Sequence, residues 1–103
     1  MSRTIKNLDT IICDLAGDPL RGTDGPIAVR SVISNSIARG HSDEPARAMK
    51  VALSIYEAKK TVTLEDSDFK LAKGAVEADQ VLNNMAKAAA FAALEAAEVG
   101  ADA

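Results

Sequence analysis

The sequence predicts a mainly α-helical single domain of about four helices, with a small β-hairpin-like element near the N-terminus. Three observations support this prediction. Residues 81–99 read VLNNMAKAAAFAALEAAEV, and alanine is the strongest helix former. Apolar residues recur at helical spacing over 27–39 and 44–59. Residues 10–15 form a short run that contains β-branched residues, and turns with glycine and proline follow it. This pattern is typical of a strand.

The length and composition favour one small helical domain. A chain of 103 residues is long enough for a single core without disulfides or metals. We divide it into a β- and turn-rich segment (1–26), a helical core (27–76), a long alanine-rich helix (77–99) and a tail (100–103). Apolar residues make up 48% of the chain, but many are alanine and few are aromatic. The expected core is therefore thin.

The charge and the single cysteine exclude several classes of protein. A net charge of −3 argues against a nucleic-acid partner, because proteins that bind nucleic acid normally present a basic face. One cysteine, Cys13, allows no internal disulfide and fits a reducing compartment. The first ten residues lack the apolar run of a secretory signal, and no 20-residue window is apolar enough for a membrane. We therefore expect a protein that is not secreted and has no membrane partner.

Turn and strand signals fill the first 26 residues. The run 10–15 is the predicted strand, and residues 16–19 and 22–26 are predicted turns. Residues 20 and 21 between them are the predicted return strand. Such a two-stranded ribbon is marginally stable alone, so we expect it to lie against the helices.

Two helices should follow, joined by a tight connection. The first is predicted over 27–39, since Pro26 suits a helix start and Gly40 suits a left-handed stop. The second is predicted over 44–59, with Ser42 or Asp43 as its cap. Its polar stripe is narrow, so we expect this second helix to lie at the centre of the core.

An extended segment and two more helices complete the predicted fold. Residues 59–64 contain three β-branched residues and are predicted to be extended. Acidic residues at 65–68 suit the N-terminus of a third helix over 65–76. The fourth helix is predicted over 78–99.

No residue pattern indicates catalysis, a cofactor or a metal. Nothing in the spacing brings Cys13 to His41, so we interpret them as a small buried side chain and a solvated loop side chain. Aspartates 14, 18 and 24 lack the alternating spacing of a calcium loop and fit turn chemistry. The glycines form no phosphate-binding loop. We predict no catalytic, cofactor-binding or metal-binding residue, and no enzyme activity.

The alanine-rich helix is the predicted interaction surface. Over 78–99 it would be about 33 Å long, which is more than twice the ~13 Å radius of gyration of such a domain. If its small-sided line docks on the second helix, Phe91 and Leu94 remain for a partner; the line consists of Val81, Met85, Ala88, Ala92 and Ala96. The predicted interaction residues are Met85, Ala88, Phe91, Ala92 and Leu94. The alternative is one long helix wrapped entirely by the other three.

Basic residues on the first two helices leave a further alternative open. Arg30, Arg39, Arg47, Lys50, Lys59 and Lys60 are scattered over this region. Gathered into one patch beside the turn at 40–42, they would make a small DNA-binding regulator. Solvated helix faces explain them better in an acidic chain.

Two segments together resemble short, largely uncharacterised proteins of tailed bacteriophages and prophages. The first covers 12–37, with Asp24-Gly25 in its turn; the second covers 48–56, with the AMKVA run, and continues through VTLEDSD at 62–68. Ala28 departs from the pattern, since threonine is usual there. The resemblance implies a phage origin and carries no active site.

These observations together favour a non-enzymatic phage protein that acts by protein–protein contact. We expect it to self-associate and to serve virion assembly or as a structural accessory, in the host cytoplasm or the virion. Its partners would be itself and a phage or host protein. The alternative is a host-takeover or anti-defence inhibitor that binds a host protein or sequesters a small nucleotide.

Overall fold

The computed structural model describes residues 2–22 and 25–99, which form a helix-rich mixed α/β fold. The elements, in chain order, are β1 (Ser2–Ile5), β2 (Arg21–Gly22), β3 (Gly25–Pro26), α1 (Val29–Arg39), α2 (Pro45–Glu57), β4 (Val62–Glu65), α3 (Asp66–Ala78), α4 (Asn84–Glu95) and β5 (Glu98–Val99). The prediction of about four helices is confirmed within these residues. The fold class is mixed α/β where the sequence predicted mainly α, because strands distant in sequence pair with one another.

A three-stranded antiparallel sheet has β1 at its centre, between β4 and β5. The register places Ser2 opposite Glu65 and Ile5 opposite Val62. On the other side Arg3 lies opposite Val99. The extended segment predicted before the third helix is confirmed as β4. The central strand β1 was not predicted, because four residues with one fully buried side chain give little alternating pattern.

The N-terminal β element is present, but its strands differ from the prediction. The hairpin is formed by β2 and β3, with Gly22 opposite Gly25. Residues 10–15 make only isolated bridges, from Ile11 to Ala28 and from Cys13 to Pro19. The described residues do not include 23 and 24, which belong to the predicted turn at 22–26. They also do not include 100–103, which is the predicted tail.

The first three helices lie within about two residues of their predicted bounds. Pro26 does not start the first helix as predicted, because it lies in β3 and α1 begins at Val29 after the N-cap residue Ala28. Pro45 is the first residue of α2. Glu44 is the N-cap residue of α2 without a side-chain cap bond, and the Ser42 hydroxyl accepts from the Glu44 N–H at 3.0 Å. Gly40 ends α1 in an extended conformation, with φ −74°, so the predicted left-handed stop is wrong.

The helix at the centre of the core is α1, not α2 as predicted. It packs against α2, α3 and α4. Its serines explain the error, because Ser34 and Ser36 are polar in sequence but buried in the fold. The Ser34 hydroxyl donates to the Arg30 carbonyl at 2.7 Å, which satisfies it inside the core. The largest fully buried apolar side chains around this helix are Ile5, Leu8, Ile33, Ile55, Val76 and Leu94.

The alanine-rich helix is shorter than predicted. It spans Asn84–Glu95, which is 12 residues and about 18 Å, not the 33 Å expected for 78–99. Two side chains divert the backbone before it. Asp79 accepts hydrogen bonds from the N–H groups of Val81 and Leu82, and Asn83 caps α4 by accepting from the Ala86 N–H at 2.8 Å. Such local bonds compete with helical ones and interrupt the helix.

Candidate functional site

An open cleft of about 880 Å³ lies between the C-terminal end of α1 with its following turn and one face of α3. Gly74, which has no side chain, and the small residues Ala75 and Ala78 form part of its wall on α3. Charged and polar side chains also line the cleft, and these are Ser36, Arg39, His41, Ser42, Asp43, Lys70, Asp79 and Gln80.

The carboxylate of Asp79 lies buried at the edge of this cleft. One oxygen accepts hydrogen bonds from the Ser36 hydroxyl at 2.8 Å and from Arg39 Nη2 at 2.6 Å. The other accepts from the backbone N–H groups of Val81 and Leu82 at 2.8 and 3.3 Å. The Asp79 side chain is 4% exposed, whereas that of Arg39 is 43% exposed. One carboxylate oxygen therefore binds α1 and the other binds the connection before α4, so that Asp79 links these two parts of the fold.

Two opposing effects set the pKa of Asp79. Burial is the largest and raises the pKa, because it disfavours the charged form. The hydrogen bonds from Ser36, Arg39 and the Val81 N–H, with the Arg39 charge, outweigh burial together and lower the pKa from 3.8 to about 2. A carboxylate with so low a pKa is a poor proton acceptor at neutral pH. We interpret Asp79 as a structural link.

A lysine of α4 closes the same corner of the fold. Lys87 Nζ donates to the carbonyl oxygens of Glu77 and Asp79, both at 2.9 Å. These carbonyl oxygens lie at the C-terminal end of α3, where they have no hydrogen-bond donor within the helix. A positive charge is favourable at this end of a helix. The sequence analysis did not single out Asp79 or Lys87. An aspartate and an asparagine ahead of an alanine run are signals that could have located both the link and the cap.

A second polar cluster joins the start of α2 to the start of α3. Arg47 Nε and Nη2 contact Asp68 Oδ1 at 2.7 and 2.6 Å, and Arg47 Nη1 contacts Glu44 at 3.1 Å. The hydrogen bond with Asp68 is the main cause that raises the pKa of Arg47. Arg47 and Arg39 both belong to the basic set considered for DNA binding. Each is paired with carboxylates, which leaves less free positive charge for a phosphate backbone.

Cys13 and His41 occupy different settings. Cys13 is exposed, so the interpretation of a small buried side chain is wrong. The reason is that this segment turns Ile12 into the core, which leaves the neighbouring Cys13 on the outer side. His41 follows α1, is exposed and lines the cleft, as expected of a loop histidine.

The acidic turn follows the expected chemistry. Asp14 accepts hydrogen bonds from the N–H groups of Ala16 and Asp18 at 2.9 and 3.0 Å. Asp24 lies outside the described residues. In the part of the chain that is described, no three His, Cys, Asp or Glu side chains cluster in a way that could hold a metal ion.

The predicted interaction residues of α4 fall on different faces of the helix. Met85, Ala88 and Ala92 are exposed, and Phe91 is partly buried against the core. Leu94 is 1% exposed, so its side chain belongs to the core of this domain and is not free for a partner. The helix docks on α1 and α3 through Ala86, Ala90 and Leu94. The face predicted to dock on the second helix is thus the exposed one.

The outer face of α2 carries large apolar side chains in solvent, and the sequence analysis missed it. Met49, Leu53 and Tyr56 are 45%, 52% and 55% exposed. The inner face, with Val51 and Ile55, is buried against the rest of the fold. The narrow polar stripe predicted that this helix would be buried at the centre of the core. About half of its apolar surface instead faces water.

Searches of protein-family models, curated protein sequences and solved structures gave no match to this chain. Across the described residues, every helix is too short or too polar to cross a lipid bilayer.

Proposed function

We propose that this protein is non-enzymatic and acts through protein–protein contact, as a self-associating structural accessory or assembly protein of a tailed bacteriophage. The observation that carries this proposal is the outer face of α2. Met49, Leu53 and Tyr56 each leave about half of their surface in water. Exposed apolar side chains that cluster on one face are typical of contact surfaces.

A second surface on α4 supports the same function. Met85, Ala88 and Ala92 are exposed on its outer side. Small side chains allow the backbone of a partner to approach closely, and Met85 adds an adaptable apolar contact. This surface is the proposed site for a phage or host protein. The phage assignment itself is supported by the sequence resemblance.

Two measurements test this proposal. The mass from light scattering at tens of micromolar should exceed that of one chain, and a mass of one chain would refute self-association. Mass spectrometry of purified virions from cells that carry the gene should then find the protein. Its absence from virions, together with a stoichiometric host partner in the lysate, would instead favour an inhibitor of the host.

The cleft favours a second candidate function, which is the sequestration of a small nucleotide by an anti-defence inhibitor. Its volume of about 880 Å³ is within the range of ligand pockets, and Arg39, His41 and Lys70 line it. Calorimetric titration with mononucleotides and cyclic dinucleotides tests this function. Binding should weaken in His41→Ala and Lys70→Ala, while Lys73→Ala, outside the lining, serves as the control. Titrations without heat for any of these nucleotides would eliminate it.

A further inference from the structure

We propose that two copies of this chain associate through the outer faces of α2, packed antiparallel about a two-fold axis. This inference rests on the proposed self-association and names the surface that carries it. The argument has three parts: the spacing of the exposed apolar side chains, the charges beside them, and the area that they offer.

The exposed apolar residues of α2 follow the spacing of a coiled-coil seam. Ala46, Met49, Leu53 and Tyr56 are separated by three, four and three residues. This is the a, d, a, d order of a heptad, which places the four side chains in one row along the helix. All four are exposed. The row is therefore an unpaired seam on the solvent side of the domain.

Two opposite charges flank this seam on one side. Lys50 and Glu57 each follow a d position, so both occupy e positions of the heptad. Both residues are exposed, and neither enters an ion pair with any described residue. Seven residues separate them, so their side chains point in nearly the same direction, about two helical turns apart.

The charges select the antiparallel orientation. In an antiparallel pair of helices the e positions face one another across the seam. In the register that sets Leu53 against Tyr56 of the second copy, Lys50 of one copy lies beside Glu57 of the second copy, and the two-fold axis repeats the pair. In a parallel pair, e positions face g positions, which here are Pro45 and Ala52 and carry no charge. Only the antiparallel arrangement pairs both charges.

The available area indicates a weak dimer. Each of the three large side chains exposes roughly 100 Å², about half of what such a side chain can bury. Their sum is well below the ~800 Å² per partner of a standard stable interface. We therefore expect a dimer with a micromolar dissociation constant, in rapid exchange with the monomer.

Charge reversal and its repair test this arrangement on the full chain. Sedimentation equilibrium between about 10 and about 500 µM should show the wild type rising from one chain towards two. Because the interface is symmetric, Lys50→Glu or Glu57→Lys alone places two like-charged pairs in contact. Each should weaken the dimer about tenfold, and the double variant should return to within about threefold of the wild type.

Matched controls lie on α3. Lys73 and Glu77 are opposite in charge and one helical turn apart, and neither enters an ion pair with any described residue. Lys73→Glu and Glu77→Lys change the net charge by the same amounts and should leave the dissociation constant within about twofold. Circular dichroism of every variant checks that the helices persist.

The outcomes separate this inference from the proposed function. A wild type that dimerises while the α2 variants behave like the α3 controls would overturn the α2 seam and leave self-association standing. A double variant no better than the single ones would overturn the antiparallel pairing. A wild type that remains one chain at every concentration would overturn both the seam and the proposed self-association.

Discussion

Ser36 on α1 donates a 2.8 Å hydrogen bond to the buried carboxylate of Asp79, 43 positions later in the chain. Both side chains are shielded from water. The same carboxylate accepts from Arg39, one turn further along α1. The bond therefore fixes the central helix to the connection that ends α3 and precedes α4, where the cleft also lies.

Removal of this carboxylate should destabilise the fold. Asp79→Ala leaves the buried Ser36 hydroxyl without its acceptor and frees two backbone N–H groups. Arg39 is exposed enough to be hydrated again, which limits the loss. We expect the free energy of unfolding to fall by about 2 to 3 kcal/mol, measured by urea denaturation.

The control for this prediction is another aspartate of the cleft. Asp43→Ala removes the same charge from an exposed position, and it should change stability by less than about 0.5 kcal/mol. Equal losses in the two variants would show that Asp79 does not link the helices.

Stability should also fall in acid because of Asp79. Its pKa is about 2 in the folded protein against an ordinary value of 3.8, so the unfolded chain binds more protons between these values. The contribution is complete above the ordinary pKa and is lost as the pH falls through the folded pKa. It amounts to about 2 kcal/mol.

Urea titrations from about pH 6 down to about pH 2 measure this dependence. Asp66 also has a lowered pKa, through its hydrogen bond with Lys70, so the wild type alone does not isolate Asp79. The difference between the wild type and Asp79→Asn removes that common part. A difference that stays constant with pH would contradict the assignment.

The helices were predictable because their signals are local. Apolar spacing, the proline in the first turn of α2 and the acids of α3 all lie within the elements that they specify. The sheet was not predictable in this way. Its central strand pairs Ser2 with Glu65, and the contact depends on the folded chain as a whole.

The length of α4 shows the limit of propensity. Alanine content predicts a helix over 78–99. It carries no information about which backbone N–H groups a neighbouring side chain will bind. Asp79 and Asn83 bind those groups and delay the start of the helix to Asn84. The burial of Leu94 follows from this shorter helix lying against α1 and α3. The exposed face of α2 was missed for a similar reason, since composition does not say which side of an apolar helix is covered.

The two sides of α4 should respond differently to truncation. Leu94→Ala removes a fully buried side chain from the core and should lower the free energy of unfolding by about 3 kcal/mol. Met85→Ala acts on the exposed side and should cost less than about 1 kcal/mol. Urea denaturation measures both. If Leu94→Ala left stability unchanged but weakened self-association, Leu94 would be an interface residue and would not belong to the core of the domain.

The turn after β1 should tolerate glycine and resist β-branched residues. Asn7 has a φ of 60°, a left-handed conformation that asparagine tolerates and that β-branched side chains strongly disfavour. This turn places Leu8 in the core directly after the central strand. Asn7→Gly should therefore leave stability unchanged or raise it slightly, whereas Asn7→Val should lower it by about 1 to 2 kcal/mol.

Asp9→Val is the matched control, because Asp9 is an exposed residue of the same turn without a positive φ. It introduces the same surface valine and should change stability by less than about 0.5 kcal/mol. Urea denaturation of the three variants separates backbone strain from the effect of an added apolar side chain. If both valine variants lost the same stability, the left-handed residue would not govern this turn, and the entry of Leu8 into the core would depend on its packing alone.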